Sequence, residues 1–343
     1  MSIVTPTDIG SAVERLRGNA VVTPVVTSAE LDAQAGARVF LKCEQQQRTG
    51  SFKFRGAFNA VASLPPETAG TPVVTVSSGN HGQALALAAR LHNRAAIIYA
   101  PGAITPTKRH AILAQGGTLV ECVTRAEAEA AAAARAQSGD AMLIHPFNDL
   151  SVIAGQGTCA LEVLDHVGEL DAILAPVGGG GLLSGTCLAA HGRNPRIAVY
   201  GCEPVGALDA VISVREGRIV PMTNPQTIAD GLRSSLGTHT LEILRAHVAD
   251  FFTVEEWEIV EALRYAHERL GLWIEPSSAV ALAPLLRGEP ALQNRRVAVI
   301  LTGGNIDEAG VRAILGAKTS GGAAREVMRS EAGRSAPGAH EGS

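Results

Sequence analysis

From residue 73 onward the chain alternates short, unbroken apolar runs with longer segments whose apolar positions recur every three or four residues. The runs "VVTV", "AAIIYA", "TLVEC" and "AMLIH" read as strands, and "GQALALAARLH", "TPTKRHAILAQG" and "RAEAEAAAAARAQ" between them read as helices. A second alternating set opens with the helix "AGQGTCALEVLDHV" and the strand "DAILAPV". It continues through the helix "LLSGTCLAAHG", the strand "RIAVYGCE", helices within 255–288 and the strand "RVAVIL". Strands separated by single helices pair in parallel through right-handed crossovers. Two such sets predict an α/β protein of two doubly wound open-sheet lobes. The active site is expected in the cleft between them, because ligands collect where the carboxyl ends of parallel strands face a crevice. From Thr319 the periodicity gives way to Gly, Ser and charge, so 319–343 is expected to be a disordered tail. No repeat appears at solenoid periods.

Composition narrows the chemistry. The 343 residues are 46% hydrophobic but only 3% aromatic, so the interior must be filled by small aliphatic side chains. With 29 basic against 33 acidic residues and no basic block, nothing points to a nucleic-acid or membrane partner. The start lacks a basic segment followed by an apolar run, and no stretch has the length of a membrane span. A cytoplasmic protein acting on small molecules is therefore expected. The five cysteines, Cys43, Cys122, Cys159, Cys187 and Cys202, are scattered without paired metal-ligand spacing and fit reduced core thiols.

Four stretches carry chemistry. In "PVGGGGLLSG", Gly178, Gly179, Gly180 and Gly181 follow an apolar strand and open a helix, where backbone N–H groups converge on an anion such as phosphate. The sequence argues against a P-loop, because Gly185 is followed by Thr186 rather than Lys. A dinucleotide fold remains a rival, with Glu203 at the end of the next strand as its ribose acid, and so does a plain tight turn. In "VSSGNHGQALALAA", Ser77, Ser78, Gly79, Asn80 and His81 lie between a strand and a helix and offer hydroxyls, an amide and helix-start N–H groups to a carboxylate. N-capping accounts for one serine but not for the run, and His81 taken alone reads as a hydrogen-bonded turn residue. In "VAVILTGGNID" a buried strand runs out into Thr302, Gly303, Gly304 and Asn305. In "RTGSFKFRGA", Lys53 stands between Phe52 and Phe54 with no acid beside it, which leaves a surface charge, a phosphate clamp or a nucleophilic amine.

Together these stretches resemble the serine/threonine dehydratase family, including serine racemases, of the tryptophan-synthase-β (fold type II) class of pyridoxal-phosphate enzymes. The resemblance spans about 10–318 and also takes in "HPFNDLSVIAGQGT", "TIADGLRSSLG" and "IEPSSAVALA". It implies that Lys53 holds pyridoxal 5'-phosphate as a Schiff base with Phe52 beside the ring, and that Asn80 lies near the phenolic oxygen. Gly178, Gly179, Gly180, Gly181 and Leu182 then form the phosphate loop, Gly231 packs on the far face of the ring, and Thr302, where the family more often has Ser, meets the pyridine nitrogen. Ser77, Ser78, Asn80 and His81 correspond to the substrate side, with Ser78 the catalytic group on the opposite face in racemases. Glu203, Ala207 and Asp209, in "EPVGALD", match a divalent-cation site suited to Mg²⁺ or Ca²⁺.

The implied division is a large cofactor-binding domain from 1–72 and 147–318 and a small substrate-side domain from 73–146, in a homodimer or homotetramer. The implied reaction is β-elimination of a β-hydroxy amino acid, L-threonine or L-serine, to a 2-oxo acid and ammonia. The alternative is a serine racemase or an ammonia-lyase for 3-hydroxyaspartate or another β-hydroxy amino acid, the choice resting with "RSSLG" (233–237) and "HPFND" (145–149). Because the chain ends soon after "LTGGNID", feedback through a C-terminal regulatory domain is expected to be absent. An NAD-type oxidoreductase would leave Lys53, Asn80 and Thr302 without roles, and a binding protein without turnover has no use for Lys53. Desolvation beside Phe52 and Phe54 is expected to keep the Lys53 amine neutral.

Overall fold

The structure, a computed structural model, describes residues 4–316. The expected tail, 319–343, lies outside the described residues. Met1–Ile306 is one compact unit, and a second begins at Asp307, of which the helix Glu308–Gly316 is described.

Ten strands are described: β1 Val25–Val26, β2 Arg38–Cys43, β3 Val73–Val76, β4 Ala96–Pro101, β5 Gly117–Cys122, β6 Met142–Leu143, β7 Ala172–Pro176, β8 Ala198–Pro204, β9 Asp250–Val254 and β10 Arg296–Leu301. They form a six-stranded sheet in the order β1-β2-β10-β7-β8-β9 and a four-stranded sheet in the order β5-β4-β3-β6. All pairings are parallel except β1 with β2. The two-lobed α/β architecture read from the alternation is therefore present. The central strands β7 and, after Arg296, β10 are continuously apolar because helices cover both faces, whereas the edge strand β5 is half exposed.

One strand read from the sequence is shorter than expected, and β1, β2 and β9 lie outside the apolar runs read there. "AMLIH" shrinks to the two-residue β6, and β9 ("DFFTV") alternates between buried and exposed at a sheet edge. All five cysteines are free and buried. Among the described residues no helix is long and apolar enough to cross a membrane.

The helix Lys53–Ala62 is bound to both halves. Phe54, Ala57, Phe58 and Val61 join the core built on β3 and the helix Asn80–Leu91. On its other side Arg55, fully buried, donates to both Glu44 oxygens at 2.7 and 2.8 Å and to both Glu162 oxygens at 2.7 and 2.8 Å. Lys42 completes a neutral group of four charges through its 2.6 Å bond to Glu162. Buried charges persist only when paired in this way. Gly56 and Gly155 let this helix cross Leu150–Val167 closely. A Cβ on Gly155 would lie 2.7 Å from the Gly56 Cα, and one on Gly56 would lie 2.8 Å from the Val152 carbonyl oxygen.

Candidate active site

Lys53 is placed by the segment before it. The Phe52 N–H donates to the Thr302 carbonyl at 3.0 Å, the Gly304 N–H donates to Gly50 at 3.0 Å, and Ser51 and Gly303 form an isolated antiparallel bridge. These bonds tie the start of the lysine helix to the carboxyl end of β10. Lys53 Nζ donates to the Pro146 carbonyl at 3.0 Å and lies 5.2 Å from the centre of the Phe52 ring. Part of the residue faces a cavity, but the amine is hemmed in by protein atoms, and desolvation pulls its pKa down to about 8.

The expectation that no acid lies near Lys53 is corrected by the fold. Glu275 sits close enough to raise the lysine pKa against desolvation, although 222 positions of sequence separate them (275 − 53). Nor does Phe54 flank the amine. It turns into the core against Phe58, ring centres 5.5 Å apart, so Phe52 alone of the two lines the cavity.

β3 delivers Ser77, Ser78, Asn80 and His81 to the same cavity. Ser77 Oγ accepts from the N–H groups of Gly79 and Gly82, at 3.2 and 3.0 Å, and holds the turn into the helix Asn80–Leu91. Asn80 donates through Nδ2 to Glu275 at 2.7 Å, while its Oδ1 accepts from Gln83 at 3.3 Å and from Asn305 at 2.9 Å. One Asn80 N–H stays available. His81 departs from the hydrogen-bonded turn residue read from sequence. It is 3% exposed, yet neither ring nitrogen makes a hydrogen bond, the Ile144 backbone acting on it only from nearby. Burial first, then the Lys53 charge, pushes its pKa well below normal and leaves a neutral ring. His145, drawn down to about 4 by burial, accepts from the Asn148 N–H at 3.0 Å through Nδ1.

Gly178, Gly179, Gly180, Gly181 and Leu182 line the opposite wall. The helix Gly181–Arg193 begins here, and its first helical bond runs from the Ser184 N–H to Gly180 at 2.8 Å. The preceding N–H groups have no helical acceptor, which makes this end of the helix an anion cradle. Glycine is required because the loop is roofed by neighbours: a Cβ on Gly179 would lie 2.3 Å from the Phe147 ring, and Gly180 adopts φ +86°. Thr240 secures the loop by donating to the Gly179 carbonyl at 2.9 Å. Gly231, its N–H bonded to Ser277 Oγ at 2.9 Å, and the buried Thr302 complete the wall.

These residues enclose a cavity of about 180 Å³. A reactive amine, a carboxylate-binding turn and an oxyanion cradle in one space fit a phosphate-bearing aldehyde cofactor. Sequence reasoning missed Glu275, Asp230, Lys108, Arg125 and Phe147, which also line it. A signal was present for two of them. Lys108 and Arg125 occupy the first turns of Pro106–Ala114 and Arg125–Gln137, where the helix dipole disfavours cations.

Glu203, Ala207 and Asp209 form a separate buried group outside this cavity. Burial raises the Glu203 carboxyl to about 8 even though it accepts from the Ala210 and Val211 N–H groups at 2.9 and 3.0 Å. Asp209 is raised to about 7 by burial, against the lowering effect of the Leu236 backbone, and neither of its buried oxygens has a hydrogen-bond partner. Two buried carboxylates, one of them orphaned, suit a hard cation. Among the described residues no set of three His, Cys, Asp or Glu side chains converges on a metal position.

The chain matches a family model described as pyridoxal-phosphate dependent enzyme over residues 16–303. It is 42% identical to a serine racemase of Dictyostelium discoideum over 92% of this chain and 99% of that one. A crystal structure of serine racemase from that organism superposes with a TM-score of 0.84 at 40% identity, covering 89% of this chain and all of the other. An L-threo-3-hydroxyaspartate ammonia-lyase of Pseudomonas sp is 43% identical over 88% of this chain and 95% of its own. A threonine deaminase from T.th. superposes with a TM-score of 0.83 at 39% identity, over 88% of this chain and 99% of the other.

Proposed function

Because the chain belongs to the pyridoxal-phosphate dependent enzyme family, we propose that it is an ammonia-lyase acting on a β-hydroxy amino acid, with 3-hydroxyaspartate and serine ahead of threonine. The threonine/serine dehydration favoured by the sequence motifs has weaker support than its alternative, since 3-hydroxyaspartate and serine are the compounds named for relatives at 42–43% identity. The observation that carries the reading is the low-pKa amine of Lys53 in one cavity with the glycine cradle.

Pyridoxal phosphate, when bound, supplies an aldehyde that condenses with amines and a ring that withdraws electrons from the substrate α-carbon. Lys53 would hold the aldehyde, and its amine, when free, would take the α-proton at Nζ. Gly178, Gly179, Gly180, Gly181 and Leu182 would hold the phosphate, and Phe52, Gly231 and the Thr302 hydroxyl would hold the ring. Ser77, Ser78, the spare Asn80 N–H and the neutral His81 orient the α-carboxylate. The proton taken at Lys53 Nζ would balance the one that leaves with the β-hydroxyl as water, and with one water regained on hydrolysis the net products would be a 2-oxo acid and ammonia.

A second reading, serine racemase, is favoured by Ser78, which lines the cavity together with Lys53 and offers a second proton carrier. Glu203, Asp209 and the Ala207 carbonyl hold Mg²⁺ or Ca²⁺ in this proposal. A cytoplasmic homodimer or homotetramer and the 1–72/147–318 and 73–146 division belong to it as well.

The test follows keto-acid release and chiral inversion on L- and D-serine, threonine and 3-hydroxyaspartate. Borohydride trapping with peptide mapping should place the cofactor on Lys53. Lys53→Ala should abolish the adduct and lower turnover by at least ~10²–10⁴ with the fold retained. An adduct on another residue would overturn the assignment.

A further inference from the structure

Among the described residues, one ion pair joins the segment 73–146 to the rest of the chain. Lys108, on the helix Pro106–Ala114, pairs with the Asp230 carboxylate in the turn before Gly231. Both residues line the cavity that contains Lys53. Their side chains are 35% and 43% exposed, and among the described residues each charge pairs with the other alone. A pair this wet adds little to stability and exchanges readily. Its position is unusual for a surface pair, since a cation in the first turn of a helix opposes the dipole unless an anion sits against it. The other rim cation, Arg125, leans on Glu129 of its own helix at 3.5 Å, with both side chains more than half exposed. Both members of the Lys108–Asp230 pair also act on the buried Glu275, Asp230 raising its pKa and Lys108 lowering it, so the pair is within electrostatic reach of the Asn80 contact.

We propose that Lys108 selects substrates carrying a second carboxylate on the β-carbon, and that Asp230 is the internal anion which occupies Lys108 until such a substrate arrives. A β-hydroxy dicarboxylic amino acid presents its distal carboxylate to Lys108 and displaces Asp230, which is exposed enough to be resolvated. Serine and threonine have nothing to exchange and leave the pair closed. The β-carboxylate is thereby recognised at the price of one surface ion pair rather than of a buried one. This inference rests on the β-hydroxy amino acid reading of the cavity.

The experiment uses the holoenzyme and the variants Lys108→Gln, Lys108→Arg and Asp230→Asn. The kcat/KM ratio of 3-hydroxyaspartate over serine is measured alongside succinate affinity by calorimetry, which reads the Lys108 position whether or not turnover occurs. Lys108→Gln should lower both the ratio and the succinate affinity by about tenfold or more, with Lys108→Arg restoring most of each. Asp230→Asn should raise both, since the competing anion is gone. Succinate affinity insensitive to Lys108→Gln and Asp230→Asn, or a ratio that moves less than twofold, would overturn the proposal. A wild-type enzyme inactive on both amino acids but with Lys108-dependent succinate binding would instead defeat the functional reading and leave the subsite standing.

Discussion

Asn80 and Glu275 meet across the cleft, Asn80 Nδ2 donating to Glu275 Oε1 at 2.7 Å. The bond joins the first turn of the helix after β3 to the residue that immediately precedes Pro276–Ala279. Burial raises the Glu275 carboxyl to about 7, and its charge props up the Lys53 pKa. Glu275→Gln keeps an acceptor for Asn80 while removing that charge. The pH midpoint for capture of the cofactor aldehyde should then fall below the wild-type value of about 8, as read from rapid-mixing absorbance across pH 6–10. An unchanged midpoint would show that the carboxylate does not act on the amine.

The wild-type amine gives a second pH signature. Below about 8 Lys53 is mostly protonated, so capture should speed up about tenfold per pH unit and level off above that value. Its folded pKa lies below the ordinary 10.5, so between about 8 and 10.5 the unfolded chain binds more protons. The cofactor-free protein should therefore gain stability from this group as pH rises through that window. Urea unfolding at several pH values should show the gain, and Lys53→Met should lose it.

The glycine cradle tolerates no side chain at its roof. A Cβ on Gly179 would lie 2.3 Å from Phe147, so Gly179→Ala must displace either the loop or the ring. Overpacking of this kind costs about 1–3 kcal/mol, equivalent to roughly 5–150-fold weaker cofactor binding if it falls on the holo state. Equilibrium dialysis against pyridoxal phosphate measures this, and the double variant Gly179→Ala/Phe147→Ala should recover affinity.

Legibility in the sequence followed the range of the interactions. Lys53, Asn80 and the run of glycines stand in local motifs, and β3, β4, β7 and β10 announce themselves as apolar runs because both of their faces are covered. Glu275 was hidden because its role depends on a contact with a residue 195 positions away. Phe147 escaped because an aromatic in a loop carries no sign of the glycines beneath it. Lys108 and Arg125 were readable in principle, as cations on the wrong end of two helices. β9 was lost because a half-exposed edge strand has too little periodicity to recognise, and β1 and β2 because they precede the regular alternation that begins at residue 73.

The buried carboxylates of Glu203 and Asp209 make a prediction that does not depend on turnover. Millimolar Mg²⁺ or Ca²⁺ should raise Tm reversibly, with a chelator restoring the original value. At a hundredfold excess over Kd the stabilisation is about 2.7 kcal/mol. Asp209→Asn should lose most of the shift. The same increase in that variant would place the cation elsewhere.

The lysine-bearing helix has its apolar side in one core and its Arg55 guanidinium locked between Glu44 and Glu162 on the other. Neither half can come apart without stripping this shared rod of half its partners. Heating should consequently produce one calorimetric peak for both sheets, with a van't Hoff enthalpy matching the total heat absorbed, and trimming Arg55 to Met should split that peak in two.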